Sequence, residues 1–334
     1  MAVTIKDLAS RCGLSVSTVS KAFNNYEDIS KETRELVRRV AKEMGYYPNA
    51  IARTLKTNRS YNLGVLFDDG MNSGLTHAFF MNVLNSFKVE AEKRGYDITF
   101  INHHVANSRM TYLEHCRYRN IDGVFLACAN FEEQEVIDVA TSSLPAVALD
   151  HPYPSRSAVL SDNPSGMKQL VEYAAGLGHT RIAYIHGAMS FVTEQRVGAF
   201  RATMRMLGLD DTLLCTARYD DPDSVREAVK QLMTPENPPT CILLPDDHGY
   251  LGALAACSEL GLKTPEDVSF AGFDGSMIAK LSSPKLTTIA QDTAALGSEA
   301  ARLLVERIEN SSAPAEVVHV QTSLLEGESV ARRG

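Results

Sequence analysis

No apolar run in this chain approaches the ~20 residues that a membrane-spanning helix needs. Its six cysteines, at positions 12, 116, 128, 215, 241 and 257, form no CxxC pair and mostly lie in apolar segments. That pattern argues against a zinc cluster or a disulfide scaffold and for small reduced thiols. The chain has no GxGxxG, no P-loop and no Gly-x-Ser-x-Gly. The closest glycine-rich stretch, Gly176-Leu177-Gly178-His179-Thr180-Arg181, precedes a strand pattern, where a phosphate cradle should follow one. His103, His104 and His115 lack acid or thiol partners at metal-ligand spacing. These absences favour a binding protein over an enzyme and predict no cofactor and no metal.

Positive charge is scarce overall, the formal net charge being -8, but it is unevenly placed. Residues 1–60 carry eleven Lys and Arg against six Asp and Glu, so a basic head precedes a strongly acidic remainder. Such asymmetry fits a nucleic-acid-binding head on a large acidic body, although two ordinary solvated surfaces would give the same sums. The local sequence favours the first reading. Thr4-Ile5-Lys6-Asp7 has the form of a helix N-cap with an acid at the third helical position. A helix to about Cys12 puts Ile5, Leu8, Ala9 and Cys12 on one face. Gly13 supplies a turn, and Ser15 can cap a second helix from Val16 to about Asn24. The spacing of Ala9, Gly13 and Val19 lets two helices cross closely. A third helix, Lys31 to Met44, turns Leu36, Val37, Val40, Ala41 and Met44 inward, with Gly45 as a left-handed cap.

The stretches Thr4-Ile5-Lys6-Asp7-Leu8-Ala9, Gly13-Leu14-Ser15, Thr18-Val19-Ser20, Gly45-Tyr46-Tyr47-Pro48-Asn49-Ala50 and Ala52-Arg53-Thr54-Leu55 resemble the head and hinge of the LacI/GalR family of bacterial transcriptional regulators. The likeness continues through Leu63-Gly64-Val65-Leu66, Gln195-Arg196-Val197-Gly198, Pro265-Glu266-Asp267-Val268-Ser269, Gly272-Phe273-Asp274 and Leu286-Thr287-Thr288-Ile289. Beyond the head, strand patterns are predicted near Asn62–Phe67, Asp97–Ile101, Gly123–Ala127, Ala146–Leu149, Arg181–Ile185, Thr240–Leu244, Val268–Gly272 and Thr287–Ile289. Helical patterns fall over Phe79–Arg94, Ser165–Leu177, Glu194–Leu207, Asp223–Met233, Gly249–Leu260 and Thr293–Glu309, an alternation typical of parallel sheets with helices on both faces. The resemblance implies an all-α three-helix helix-turn-helix head at 1–47 and a hinge helix and linker at 48–60. The rest, 61–334, becomes an α/β effector-binding and dimerisation body of two doubly wound parallel-sheet lobes, similar to periplasmic binding proteins. Three crossovers are expected near Ser161-Asp162, Ala290-Asp292 and Thr322-Ser323, with a ligand cleft at the strand ends.

The same resemblance places Val16, Ser17 and Lys21 where related regulators choose bases. Lys21 can donate to guanine O6 and N7, Ser17 can pair with several edges and Val16 can meet a thymine methyl; a phosphate contact by Lys21 is equally compatible. Thr18, Ser20, Asn24, Asn49 and Arg53 suit phosphate contacts, and Thr4 and Ser15 join the DNA-binding set. Leu55 is implied as a minor-groove wedge and Ala52 as the small residue that lets two hinge helices approach, the alternative being that Leu55 caps the body. For the effector, Arg196 matches a family arginine whose fork binds hydroxyls or a carboxylate, Asp274 matches an acceptor carboxylate, and Asp246 stands where relatives often have Asn. An arginine opposed by two acids suits a polyhydroxylated ligand such as a sugar. Phe80, Asp150, Gln291 and Asp68, the last followed by Asp69, complete the candidate cleft, although the family usually has Asn-Pro before its aromatics and this chain does not.

The expected protein is thus a cytoplasmic homodimer that binds double-stranded, pseudo-palindromic operator DNA as a repressor and responds to a sugar or sugar derivative, with no membrane partner. The start of the chain in a helix-turn-helix and its end at Gly334 without a heptad tail support the compartment and the dimer respectively. The alternatives are a nucleobase-responsive regulator of the same architecture and a transport-type sugar-binding protein.

Overall fold

The computed structural model describes residues 3–24, 26–47, 59–68, 74–105 and 107–333. Contacts divide the chain into two units, Met1–Tyr61 and Asn62–Gly334. In the first unit, α1 (Ile5–Cys12) starts at a complete capping box. The Thr4 hydroxyl accepts from the Asp7 amide, and the Asp7 carboxylate accepts from the Thr4 amide at 2.9 Å. It stops at Gly13, whose φ of +67° disfavours a side chain and lets its amide reach back to the Ala9 and Ser10 carbonyls. Ser15 caps α2 (Val16–Phe23) and Ser30 caps α3 (Lys31–Met44). The second helix ends one residue before the predicted Asn24, because the Asn24 side chain turns back to donate to the Ser20 carbonyl at 2.7 Å. Leu8, Ala9, Val19, Ala22, Val37, Val40 and Ala41 form the head's core, with Leu36 and Met44 packed against it.

The second unit is two α/β lobes. The first lobe runs β1 (Asn62–Phe67), α4 (Ala78–Lys93), β2 (Asp97–Phe100), a short hairpin β3 (His104–Val105) and β4 (Ser108–Arg109), α5 (Tyr112–Tyr118), β5 (Gly123–Cys128), α6 (Gln134–Thr141), β6 (Ala146–Leu149) and β7 (Ser157–Ser161). The second runs α7 (Asn163–Gly176), β8 (Ile182–His186), α8 (Phe191–Met206), β9 (Leu214–Thr216), α9 (Pro222–Met233), β10 (Cys241–Leu243), α10 (Gly249–Leu260), β11 (Ser269–Asp274), α11 (Met277–Leu281) and β12 (Thr287–Gln291). The chain then returns to the first lobe as α12 (Thr293–Glu309) and β13 (Val317–Val320) and ends in the second with β14 (Thr322–Leu325). The sheets have orders β13-β7-β6-β5-β1-β2 and β14-β12-β11-β10-β8-β9. Their central strands are apolar runs, as in Val124 to Ala127 and Cys241 to Leu243, because helices cover both faces. Among the described residues no helix is long and apolar enough to cross a membrane.

Three features depart from the sequence reading. The elements β3, β4, β7, β9, β13, β14, α5, α6 and α11 are not among those predicted. Helices α7 and α8 start earlier than predicted, at Asn163 and Phe191, because Asp162 and Ser190 cap them. The second sheet is not wholly parallel, since β14 pairs antiparallel with β12, Gln291 opposite Thr322. The other strands of that sheet run toward the cleft, whereas β14 begins there: the chain has just left β13 in the other sheet by the single residue Gln321. The crossovers therefore fall at Asp162, Asp292 and Gln321, the last slightly ahead of its predicted place.

Helices α4 and α12 meet at Gly297. A Cβ there would lie 2.2 Å from the Val83 carbonyl oxygen and 2.7 Å from the Phe87 nitrogen. Both are backbone atoms in a helix and cannot swing aside. Gly297→Ala is therefore expected to lower the stability of the body by ~1–3 kcal/mol, visible as a lower urea midpoint in the full-length protein; an unchanged midpoint would mean that the helices separate freely.

Candidate functional site

On the head, Val16 is 40% exposed and Ser17 and Asn24 are exposed, while Ser20 is half-buried. Lys21 is ion-paired with Asp28 across the turn after α2. To reach a base edge or a phosphate, it must exchange that exposed partner, a change of small cost. Ser15 and Thr18 share a hydroxyl–hydroxyl bond of 2.8 Å at the helix N-terminus, and Thr4 is engaged in its capping box. These three are caps first and phosphate donors second. Asn49, Ala52, Arg53 and Leu55, like Asp69, lie outside the described residues.

The body's cleft forms where the strands of both sheets end. Asp68 follows β1, Phe131 lies beyond β5, and Asp150 follows β6. Across from them, Arg196 sits on α8, Asp246 follows β10, Asp274 ends β11 and Gln291 ends β12. Together with Phe80, all seven effector candidates line one cavity of about 760 Å³, the size and position expected of a small-molecule site in such a fold.

Arg196 is 4% exposed and held on three sides. Its Nε donates to Asn163 Oδ1 at 2.7 Å, its Nη1 donates to the Pro245 carbonyl at 3.0 Å, and its guanidinium carbon lies 3.6 Å above the Phe273 ring. The guanidinium is preorganised by these contacts. Asp274 Oδ1 accepts from the Gln291 amide at 2.7 Å, and Gln291 in turn accepts from the Ser161 hydroxyl. This relay links the first two crossovers to the cleft. The Asp150 carboxylate accepts from the Ser161 amide at 2.8 Å. Asp246 differs from its sequence reading in emphasis. Its two oxygens accept from the Asp220 and Gly249 amides, each at 2.7 Å, so it chiefly fixes the loop after β9 to the start of α10.

Burial dominates the electrostatics. It raises the Asp150 carboxyl to about 6 against the opposing pull of the Ser161 amide and Arg196. Asp274 is raised well above the ordinary range, first by burial and then by Asp247, with Arg196 opposing. Asp247, behind the cleft wall, is raised to about 6 by burial although it accepts from Thr288 and the Ser276 amide. Asp150 and Asp274 lie on the floor of the cleft, where protein on nearly every side disfavours the charged carboxylate. Asp150, Asp220 and Asp274 have φ values of +52°, +52° and +127°. Positive values at three non-glycine residues of one cavity mark backbone strain at a binding site.

The sequence reading missed an aromatic wall. The rings of Phe131 and His151 stack at 4.6 Å with an interplanar angle of 0°, Tyr153 donates to the Phe131 carbonyl at 2.7 Å, and Phe191 meets His151 edge-on across the cleft at 6.0 Å. Tyr112 donates to Asp68 at 2.9 Å, and Tyr219 and Asp220 also line the cavity. Phe131 and His151 follow predicted strands and were open to the logic that found Asp150. Tyr219 and Asp220 follow β9, whose three residues gave no strand signal.

A DNA-reading head and a two-lobed body with a strand-end cleft define the class of ligand-responsive transcriptional regulators. Two family profiles match: bacterial regulatory proteins of the lacI family over residues 4–49, and the periplasmic binding protein-like domain over 171–330. The chain is 29% identical over 340 residues to the HTH-type transcriptional repressor PurR of Pectobacterium carotovorum subsp. carotovorum (strain PC1), covering 98% of this chain and 97% of that one. In structure it resembles the Lac repressor dimer bound to operator and the anti-inducer ONPF, with a TM-score of 0.84 at 23% identity over 99% of this chain and 100% of the other. It also resembles the transcriptional regulator CelR in complex with cellobiose, with a TM-score of 0.70 at 27% identity over 98% and 99%. The chain thus joins a lacI-family DNA-binding head to a periplasmic binding protein-like domain, and is a sequence-specific DNA-binding regulator that responds to a small ligand.

Because the folded Asp150 carboxyl titrates near 6 and an unfolded one near ~3.9, the folded state holds a proton through that window that the unfolded state has released. Stability from this group is therefore lost as pH rises from about 4 to about 6. Asp150→Asn should raise the thermal midpoint relative to the parent at about pH 7.5, with the difference closing near pH 4. The same difference at both pH values would exclude burial of this charge as its cause.

Proposed function

We propose that this regulator is a cytoplasmic homodimeric repressor of a pseudo-palindromic operator, with domains at 1–47, 48–60 and 61–334, and that its effector is a polyhydroxylated, sugar-type molecule bound between the lobes. The observation that carries this reading is the pairing of carboxylates with aromatic rings around one cavity. Asp150 and Asp274 each spend one oxygen on the chain, so each offers acceptors to vicinal hydroxyls. The rings of Phe80, Phe131 and Phe191 can cover the apolar face of a sugar. The cellobiose complex of a relative agrees with it. The PurR relatives support the alternative of a nucleobase effector, which the same rings could stack but which has fewer hydroxyls to match the acids. A transport role is disfavoured by the DNA-binding head. No chemistry is assigned to the cleft, and no cofactor.

Exposed apolar side chains support the homodimer. Leu75, Met81 and Phe100 border a groove of about 320 Å³ on the first lobe, and Leu251, Met277 and Leu281 are exposed on the second. Burying such side chains against a second copy, with one head per half-site, explains their exposure.

Thermal-shift profiling across sugars, sugar derivatives and nucleobases, followed by gel shifts on an operator selected from random DNA, tests the effector. Arg196→Ala or Asp274→Asn should weaken effector binding by about 5- to 150-fold, the factor for ~1–3 kcal/mol of unpaired buried polar groups, with operator affinity in the absence of effector little changed. Unchanged effector affinity in both variants assigns the ligand elsewhere. Lys21→Ala should relax discrimination at one base pair per half-site by ~1–3 kcal/mol; a uniform loss on all sequences with a shallower salt slope would make it a phosphate contact.

A further inference from the structure

Charge around the cleft is unbalanced in a way that neutral sugars do not require. Seven carboxylates line the cavity against two guanidiniums, Arg196 and Arg218. Arg218 is turned away to Asp221, its Nε donating at 2.7 Å. Arg196 is committed to Asn163, Pro245 and the Phe273 ring. Of the acids, Asp246 is satisfied by two backbone amides, Asp220 is paired with His248 and Asp68 accepts from the Tyr112 hydroxyl. That leaves Asp150 from the first lobe and Asp274 from the second, both in the field of the buried Arg196. Glu132 and Glu133 stand further along the lining. His151 adds no charge: burial holds its imidazole below its usual range, so the Phe131–His151 stack presents neutral π-faces beside the acids.

Resting on the sugar-type reading above, we infer that the effector carries a protonated amine: a polyhydroxylated ring of one or two sugar units with an ammonium substituent, preferred over the same sugar with a hydroxyl in that place. An ammonium on such a ring donates to both remaining carboxylates and lies against an aromatic wall, supplying the positive charge that the cleft lacks. Sugar acids and sugar phosphates meet the acid excess with like charge and are rejected. The cavity of about 760 Å³ leaves room for two rings.

Titration calorimetry on the full-length protein near pH 7 compares isosteric probes: glucosamine with glucose, the β-1,4-linked glucosamine dimer with cellobiose, each amine with its N-acetylated form, and glucuronate as the anion. The amine of at least one pair should bind about tenfold or more tighter than both its hydroxyl and its N-acetyl counterparts, the difference that one added charged hydrogen bond provides, and glucuronate should not bind. Asp150→Asn and Asp274→Asn keep an oxygen for Ser161 and Gln291. Both substitutions should weaken the neutral probe and the amine alike in direction, with the amine losing at least about tenfold more, so that most of its advantage disappears. Equal or tighter binding of the neutral probe, or equal losses for both probes in the variants, overturns the amine and keeps the sugar reading. Binding of adenine or hypoxanthine with no response to any sugar overturns the sugar reading itself, and the amine with it.

Discussion

The body is organised around a buried cation. Arg196 has almost no contact with solvent, and an unpaired guanidinium there would be prohibitively unstable. Its partners are drawn from separate parts of the chain: Asn163 from the start of α7, the Pro245 carbonyl after β10, the Phe273 ring in β11, and the electrostatic field of Asp150 and Asp274. Each lies at or near the end of a strand that points into the cleft. A parallel sheet brings its strand ends together whatever the loops contain. In this protein the ends carry acids, and one arginine among them makes their burial tolerable. Where that balance is incomplete, burial keeps Asp150 and Asp274 protonated to higher pH than free carboxyls, and a ligand enters a site already under electrostatic tension.

The same groups lie at the joints between the lobes. Ser161 ends the first crossover and Gln291 leads into the second, and the relay from Ser161 through Gln291 to Asp274 binds them together. The third crossover is tied to the first, since Asp162 donates its amide to the Val320 carbonyl at 2.8 Å and its own carbonyl accepts from Thr322 at 3.2 Å. A ligand that touches Asp274 or Asp150 therefore touches the hydrogen-bond system that sets how the lobes meet. No separate transmission element is needed between the pocket and the crossovers.

Most of the frame was legible in the sequence because its signals are local. Capping at Thr4 and Ser15, the turn at Gly13 and the apolar faces of α1 to α3 are each decided within a few residues. The long helices Pro222–Met233 and Thr293–Glu309 announce themselves by period. Illegible were elements whose existence depends on partners far away: β14 is a strand because β12 offers it an edge, and β13 because β7 does. The site divides in the same way. Arg196, Asp274 and Asp150 stand at strand or helix ends recognisable in one dimension. The Phe131–His151–Phe191 wall is an assembly of three segments and has no one-dimensional signature. That Asp246 is occupied by backbone amides, and so differs from Asp274 in availability, follows only from the placement of Asp220 and Gly249.

How strongly the cleft can act on DNA is limited by what it distinguishes. An effector changes operator affinity only to the extent that it binds one arrangement of the lobes better than another. A hundredfold change calls for about 2.7 kcal/mol of differential binding, the worth of one or two hydrogen bonds to charged groups. The cleft contains groups suited to such discrimination, because Asp150 and His151 belong to the first lobe whereas Asp274, Arg196 and Phe191 belong to the second. A ligand bridging Asp150 and Asp274 feels the separation of the lobes directly; one resting on Asp274 alone would bind every arrangement alike and, however tightly held, would regulate nothing. The useful effector is accordingly the one whose polar groups span the cleft, and the opposition of two raised carboxyls across it is what makes that span energetically consequential.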